Sequence, residues 1–130
     1  MHVRASTGVD LTTTLSMGRH DLVVDEPPQL GGADLGPSPT ELLAASLAAC
    51  TAITIQMYLR RKGWQDSSLR VEAVGGDDTE IDGYQLTVHL PASLSDAQVA
   101  RVLHVAARCP VRRVLSGSPE IREEVRRGTA

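Results

Sequence analysis

Phenylalanine is absent, and Tyr58, Trp64 and Tyr84 are the only aromatic residues among 130. A core built almost without rings falls to Val, Leu, Ile and Ala, which bury less area per side chain, so a second copy is expected to make up the shortfall. Lysine is nearly absent too: Lys62 stands against twelve arginines, a bias that reads as GC-rich codon usage. Positive charge is not in excess. A formal net charge of −3 and a pI near 5.7 give no footprint for nucleic acid. Metal-binding spacings are missing, with no C-x-x-C and no H-x-x-x-H, and His2, His20, His89 and His104 fall on different expected elements. Neither a metal nor any other cofactor is expected. The stretch Gly31-Gly32-Ala33-Asp34-Leu35-Gly36 lacks the middle glycine of G-x-G-x-x-G, and no G-x-S-x-G occurs. Met1–Ala5 holds no apolar run, so the expectation is a cytoplasmic protein without a secretory signal. No repeat or linker interrupts the chain, and 1–130 is expected as one domain.

What the sequence does have is one long apolar run, Gly36–Lys62, carrying a single thiol, Cys50. Ser38, Pro39 and Glu41 supply an N-cap, a first-turn proline and the carboxylate of a capping box, so a helix is predicted from Pro39. It is apolar on nearly every side, which predicts burial on every side. At about 1.5 Å per residue its length approaches a bilayer's thickness. Glu41, Gln56 and the many alanines favour a central helix over a membrane span. Gly63 is its expected C-cap, with Trp64 packing back.

Ahead of it, His2–Gly8, Leu11–Met17 and His20–Val24 predict a three-stranded antiparallel meander. The Pro- and Gly-rich connection from Asp25 to Pro39 is expected to be an ordered loop beside a site. Beyond the helix, Leu69–Val74 and Tyr84–Leu90 alternate as a hairpin, joined by an acidic turn, Asp78–Gly83, that imitates half a calcium loop and is better read as solvated. Ser95-Asp96-Ala97-Gln98 begins an amphipathic helix running to about Arg108, Cys109-Pro110 restarts a short one over Val111–Ser116, and Glu120–Arg127 is expected as a last charged strand.

The two cysteines are the candidates for chemistry. Cys50 lies deep in its helix, where burial raises a thiol's pKa, and by itself it reads as a packed core thiol. Cys109 precedes Pro110 at a helix start, flanked by Arg108, Arg112 and Arg113, so local chemistry favours its thiolate. Arg19, in the Gly18-Arg19-His20 turn, is a cation that could serve Cys50, or a solvated turn residue. Glu41, nine positions before Cys50, sits half a turn away and about 13 Å along the axis.

Five pieces together resemble the OsmC/Ohr superfamily of thiol-dependent peroxidases, in its general OsmC-like branch. They are Gly18-Arg19-His20; Asp25-Glu26-Pro27 with Gly31-Gly32; Gly36-Pro37-Ser38-Pro39 leading into Glu41-Leu42-Leu43; Leu47-Ala48-Ala49-Cys50; and Ala106-Ala107-Arg108-Cys109-Pro110-Val111. The resemblance implies an α+β fold, antiparallel sheets around a long central helix, in an intertwined homodimer with sites at the interface. It implies that Cys50 attacks an organic hydroperoxide, with hydrogen peroxide also a candidate, and that Cys109 resolves the sulfenic acid as a disulfide. Arg19 would then hold the thiolate, and an external dithiol, typically a lipoylated protein, would regenerate the pair. Family resemblance and local chemistry thus choose opposite thiols for the attack. Two departures stand out: the catalytic Glu of better-studied relatives aligns with Thr40, where this chain offers Glu41 next door, and the His that many relatives carry after Cys-Pro-Val is Arg112 here. The same fold serving as a small-ligand-binding module, or as a structural protein with merely packed thiols, are the alternatives.

Overall fold

The computed structural model describes residues 1–76 and 80–128. Val3–Thr7 (β1), Thr13–Met17 (β2) and His20–Val24 (β3) form an antiparallel meander, with Leu15 opposite Ala5 on one side and Leu22 on the other. β2 begins two residues later than expected. Thr12 is taken up by a side-chain bond to Asp25, and Thr13 Oγ1 donates to the Leu11 carbonyl.

The loop that follows is ordered by one carboxylate. Asp25 is buried and accepts from the Thr12 hydroxyl at 2.9 Å and from the Glu26 and Leu35 amides at 2.8 and 3.3 Å. Its own amide donates to the Pro37 carbonyl. A side chain at Gly36 would collide with the Val23 carbonyl, and one at Gly32 with that of Glu26, so both glycines are there for close backbone approach.

Helix α1, Pro39–Lys62, starts and stops where its sequence says. Gly63 caps it with φ 73°, the Trp64 amide returns to the Leu59 carbonyl, and the Trp64 ring meets Tyr58 edge to face at 5.8 Å. The hairpin Arg70–Gly75 (β4) and Tyr84–His89 (β5) pairs Val71 with Val88 and Ala73 with Leu86. In its connecting acidic turn, Asp78 and Thr79 lie outside the described residues. α2, Asp96–Ala106, carries the expected Ser95/Gln98 capping box, and α3 covers Pro110–Leu115.

The core sits on one face of α1, where Ile55, Tyr58 and Leu59 pack with Val102 and Ala106 of α2 and with Trp64, Leu69 and Val88 around them. Burying a side chain such as Ile55 or Leu59 contributes roughly 1.5–3 kcal/mol. The helix also packs on β4 and α3.

Two expectations are corrected. α1 is not buried all round: Ile53 and Met57 are 60% and 65% exposed, because α2, α3 and β4 cover one side of it only. Its length and composition suit a membrane span, but it is held as a core helix on the covered side. The segment Glu120–Arg127 is not a strand of any sheet. It is exposed throughout, and no described strand lies beside it to accept its backbone. Its pairs, Glu120 with Arg122 and Glu124 with Arg126, join residues two apart, the spacing of side chains on one face of an extended chain.

The thiol pair and the candidate active site

Cys50 is carried by the middle of α1, and Cys109 by the junction of α2 and α3. Two backbone features fix the second thiol. Its amide donates to the Ala106 carbonyl as α2 ends, and Pro110 opens the next helix with Cys109 as N-cap. The Arg112 amide donates to Cys109 Sγ at 3.4 Å, and the Arg113 amide to the Cys109 carbonyl at 3.1 Å. Sulfur here does what Ser or Asp does at other helix starts, accepting a donor that the first turn leaves unpaired.

Packing of α3 on α1 brings the two thiols into direct side-chain interaction, with no bond between the sulfurs. Cys50 is half-buried, whereas Cys109 is 0% exposed. Their ionisation is divided unequally. Burial pushes the Cys50 thiol up, and the neighbouring Cys109 adds to it, against weaker opposing bonds from the Val111 amide and the Thr54 hydroxyl. Burial also works against the Cys109 thiolate, but hydrogen bonds from Cys50, the Arg112 amide, Thr51 and the Val111 amide outweigh it and hold that thiol below its ordinary value. Such a pair gives up its protons in two steps that belong to both sulfurs, the first charge resting mainly on Cys109.

Thr51 and Thr54 are the site residues that sequence reasoning passed over. Thr51 is fully buried and donates to the Leu47 carbonyl at 2.8 Å, which holds its oxygen beside Cys109. Thr54 follows Cys50 by four positions, so helical spacing alone placed it on the same face.

The other candidates lie elsewhere in the single chain. Arg19 is exposed in the β2–β3 turn beside Gly18 at φ 61°, and it is not among the groups that perturb either thiol. Glu41 is occupied at the start of α1, where its Oε1 accepts the Ser38 amide at 3.1 Å. No group of three or more His, Cys, Asp or Glu gathers among the described residues. Beside the pair, a cavity of about 580 Å³ is lined by Leu47, Thr51, Leu86, Leu103 and Arg112, with Tyr84 on its wall. That volume is of the size that holds small organic ligands. The Tyr84 hydroxyl is enclosed without a hydrogen-bond partner among the described residues.

Residues 31–124 match the sequence profile of the family described as OsmC-like protein. Over 122 residues the chain is 25% identical to the uncharacterized protein YmaD of Bacillus subtilis strain 168, covering 85% of this chain and 81% of that one. Among solved structures, an OsmC-like protein of Mycoplasma pneumoniae superposes with a TM-score of 0.73 at 21% identity, covering 90% and 87% of the two chains. The organic hydroperoxide resistance protein OsmC of Legionella pneumophila superposes with a TM-score of 0.62 at 21% identity, covering 89% and 88%. With its profile match spanning most of the sequence and its mixed fold shared with these structures, the chain belongs to the OsmC-like family.

Proposed function

We propose that the protein is a two-cysteine peroxidase that reduces organic hydroperoxides in the cytoplasm as part of oxidative-stress defence. The observation that carries this reading is the thiol pair itself, one sulfur half-exposed and one buried, in direct interaction across α1 and α3. The exposed partner, Cys50, meets the peroxide. Its sulfur bonds to the distal oxygen, the O–O bond breaks, and the alkoxide leaves and takes a proton to become the alcohol. Cys50 is then a sulfenic acid. Cys109 attacks that sulfur, an S–S bond forms and hydroxide leaves. A low thiol pKa keeps Cys109 ready for this step at neutral pH. An external dithiol, of the lipoylated kind, reduces the disulfide.

An intertwined homodimer completes the reading. Two observations support it: the uncovered side of α1 with Ile53 and Met57, and a sheet of β1, β2 and β3 that has no extensive packing against the helices and encloses only Val24 fully. Within one chain that sheet keeps Arg19 out of the thiols' surroundings, so Arg19 reaches Cys50 from the partner. There its guanidinium holds the thiolate, a charge-assisted bond of about 1.5–3 kcal/mol. Glu41 is assigned to the helix start rather than to the peroxide.

The test is consumption of tert-butyl hydroperoxide with a lipoyl reducing system. Wild type turns over and accumulates a Cys50–Cys109 disulfide when the reductant runs out. Cys50→Ser is inactive, and Cys109→Ser forms sulfenic acid once and stalls. Undiminished turnover in Cys50→Ser, or no disulfide in wild type, overturns the proposal. One second reading has a specific observation behind it: the cavity beside Arg112, with the unpartnered Tyr84 hydroxyl, favours a small-ligand-binding module. Tight binding of an apolar ligand by a wild type that consumes no peroxide would establish it.

A further inference from the structure

On a chain whose net charge is −3, the segment from Ala97 to Pro119 holds no Asp or Glu at all. Its ionisable side chains are Arg101, His104, Arg108, Arg112 and Arg113, besides the thiol of Cys109. All five basic residues are exposed, and none makes an ion pair among the described residues. By contrast, Arg70, Arg122 and Arg126 each meet a glutamate. Arg101 and His104 lie three apart on one face of α2, and Arg108, in the turn that ends it, has Nη2 3.4 Å from His104 Nε2. Arg112 and Arg113 continue the run on α3. Cys109 lies between the two groups, so the basic surface borders the redox pair. Leu103 and Val114 add exposed apolar area, at 50% and 53%. Exposed arginines around a small apolar centre have the composition of a protein-docking surface, and an unpaired cation there has lost nothing by waiting for its partner.

We infer that the α2–α3 face is the docking surface for the reductant, an acidic protein that carries the dithiol. The inference rests on the peroxidase reading, which makes the disulfide between Cys50 and Cys109 the bond that such a carrier must open. Charge complementarity names the occupant. A second copy of this chain would bring a net negative charge too, but it would also bring the same basic face, and the two faces would repel.

The chemistry at the docked site balances as an exchange. One thiolate of the carrier attacks Cys50, the more accessible sulfur, the S–S bond breaks, and Cys109 leaves as a thiolate. The carrier's second thiol displaces Cys50 from the mixed disulfide. The carrier is oxidised by two electrons to its cyclic disulfide, and both cysteines are again reduced. A leaving thiol of lowered pKa departs faster, which suits Cys109 to its position.

The test compares two reductants on the full chain: free dihydrolipoamide, which is small and uncharged, and a reduced lipoyl domain with an acidic surface. The double variant Arg108→Glu/Arg113→Glu leaves untouched both cysteines and Arg112, whose amide holds Cys109. Its kcat/KM for the lipoyl domain falls about tenfold or more, while that for dihydrolipoamide stays within about twofold. Added salt lowers the wild-type value for the domain and leaves that for the free dithiol unchanged. A single variant, Arg101→Gln, gives a smaller loss in the same direction. Equal effects on both reductants, no effect on the domain, or a salt-independent wild type overturn the docking surface. If neither dihydrolipoamide nor the lipoyl domain supports peroxide consumption by wild type, the peroxidase reading has failed instead, and the docking inference falls with it.

Discussion

Ser38 and Glu41 each complete the other's hydrogen bonding: the Glu41 amide donates to Ser38 Oγ at 3.2 Å, and the Ser38 amide donates to Glu41 Oε1 at 3.1 Å. This exchange accounts for Glu41 through the helix it starts. Ser38→Ala is expected to cost about 1 kcal/mol of stability, seen as a shift in the denaturant midpoint. Glu41→Gln keeps an oxygen facing the Ser38 amide, so its peroxidase rate stays within about twofold of wild type. A loss of a hundredfold would return Glu41 to the chemistry.

The thiol pair has an ionisation signature. Followed by thiolate absorbance, wild type releases its first proton below the ordinary thiol value, because the bonds to Cys109 favour its charged form, and its second above it. Thr51→Val removes one of those bonds and moves the first step up. A single step at the ordinary value would contradict the geometry.

Asp25 sets the acid side of stability. Desolvation works against its charged form, but the Glu26 amide, the Thr12 hydroxyl and the Leu35 and Ala33 amides together hold the carboxyl below its usual pKa. A depressed folded value means stability that is present above the unfolded pKa, near 3.9, and lost as pH falls through the folded one. Asp25→Asn therefore lowers Tm at pH 7, and the gap to wild type narrows as pH drops below about 4. Melting curves across that range check it.

Subunit mixing tests where Arg19 acts. Arg19→Ala and Cys50→Ser are each expected to be inactive alone. If the chain forms the proposed homodimer, half the dimers are mixed after co-refolding, and each holds one site with both residues if Arg19 crosses the interface. About a quarter of wild-type activity should return. No recovery would put Arg19 in its own chain.

The helices and the meander were legible because their signals are local. Pro39, Gly63 and the two capping boxes fix ends within a residue or two, and alternation fixed β4 and β5. The family pieces identified the fold class for the same reason, as short ordered matches. Two things escaped because they depend on what lies across space. The exposed side of α1 shows which neighbours the helix has, and the apolar count of a helix cannot. Glu120–Arg127 alternates like a strand, but a strand needs a neighbour, and none of the described strands takes it. The division of charge between Cys50 and Cys109 was legible, because burial inside α1 and the helix start at Pro110 are local signals; only the identity of the donors, the amides of Val111 and Arg112 and the Thr51 hydroxyl, needed the structure.

If Cys50 and Cys109 form the proposed disulfide, the cap on α3 bears on how easily it is reduced. In the reduced chain Cys109 Sγ receives the Arg112 amide and closes the first turn of the helix. A disulfide sulfur carries no charge and accepts more weakly. Whatever free energy α3 gains from the reduced cap is therefore withheld from the disulfide, which makes the bond more oxidising. In that proposed couple, the reduction potential would register part of the stability of a six-residue helix.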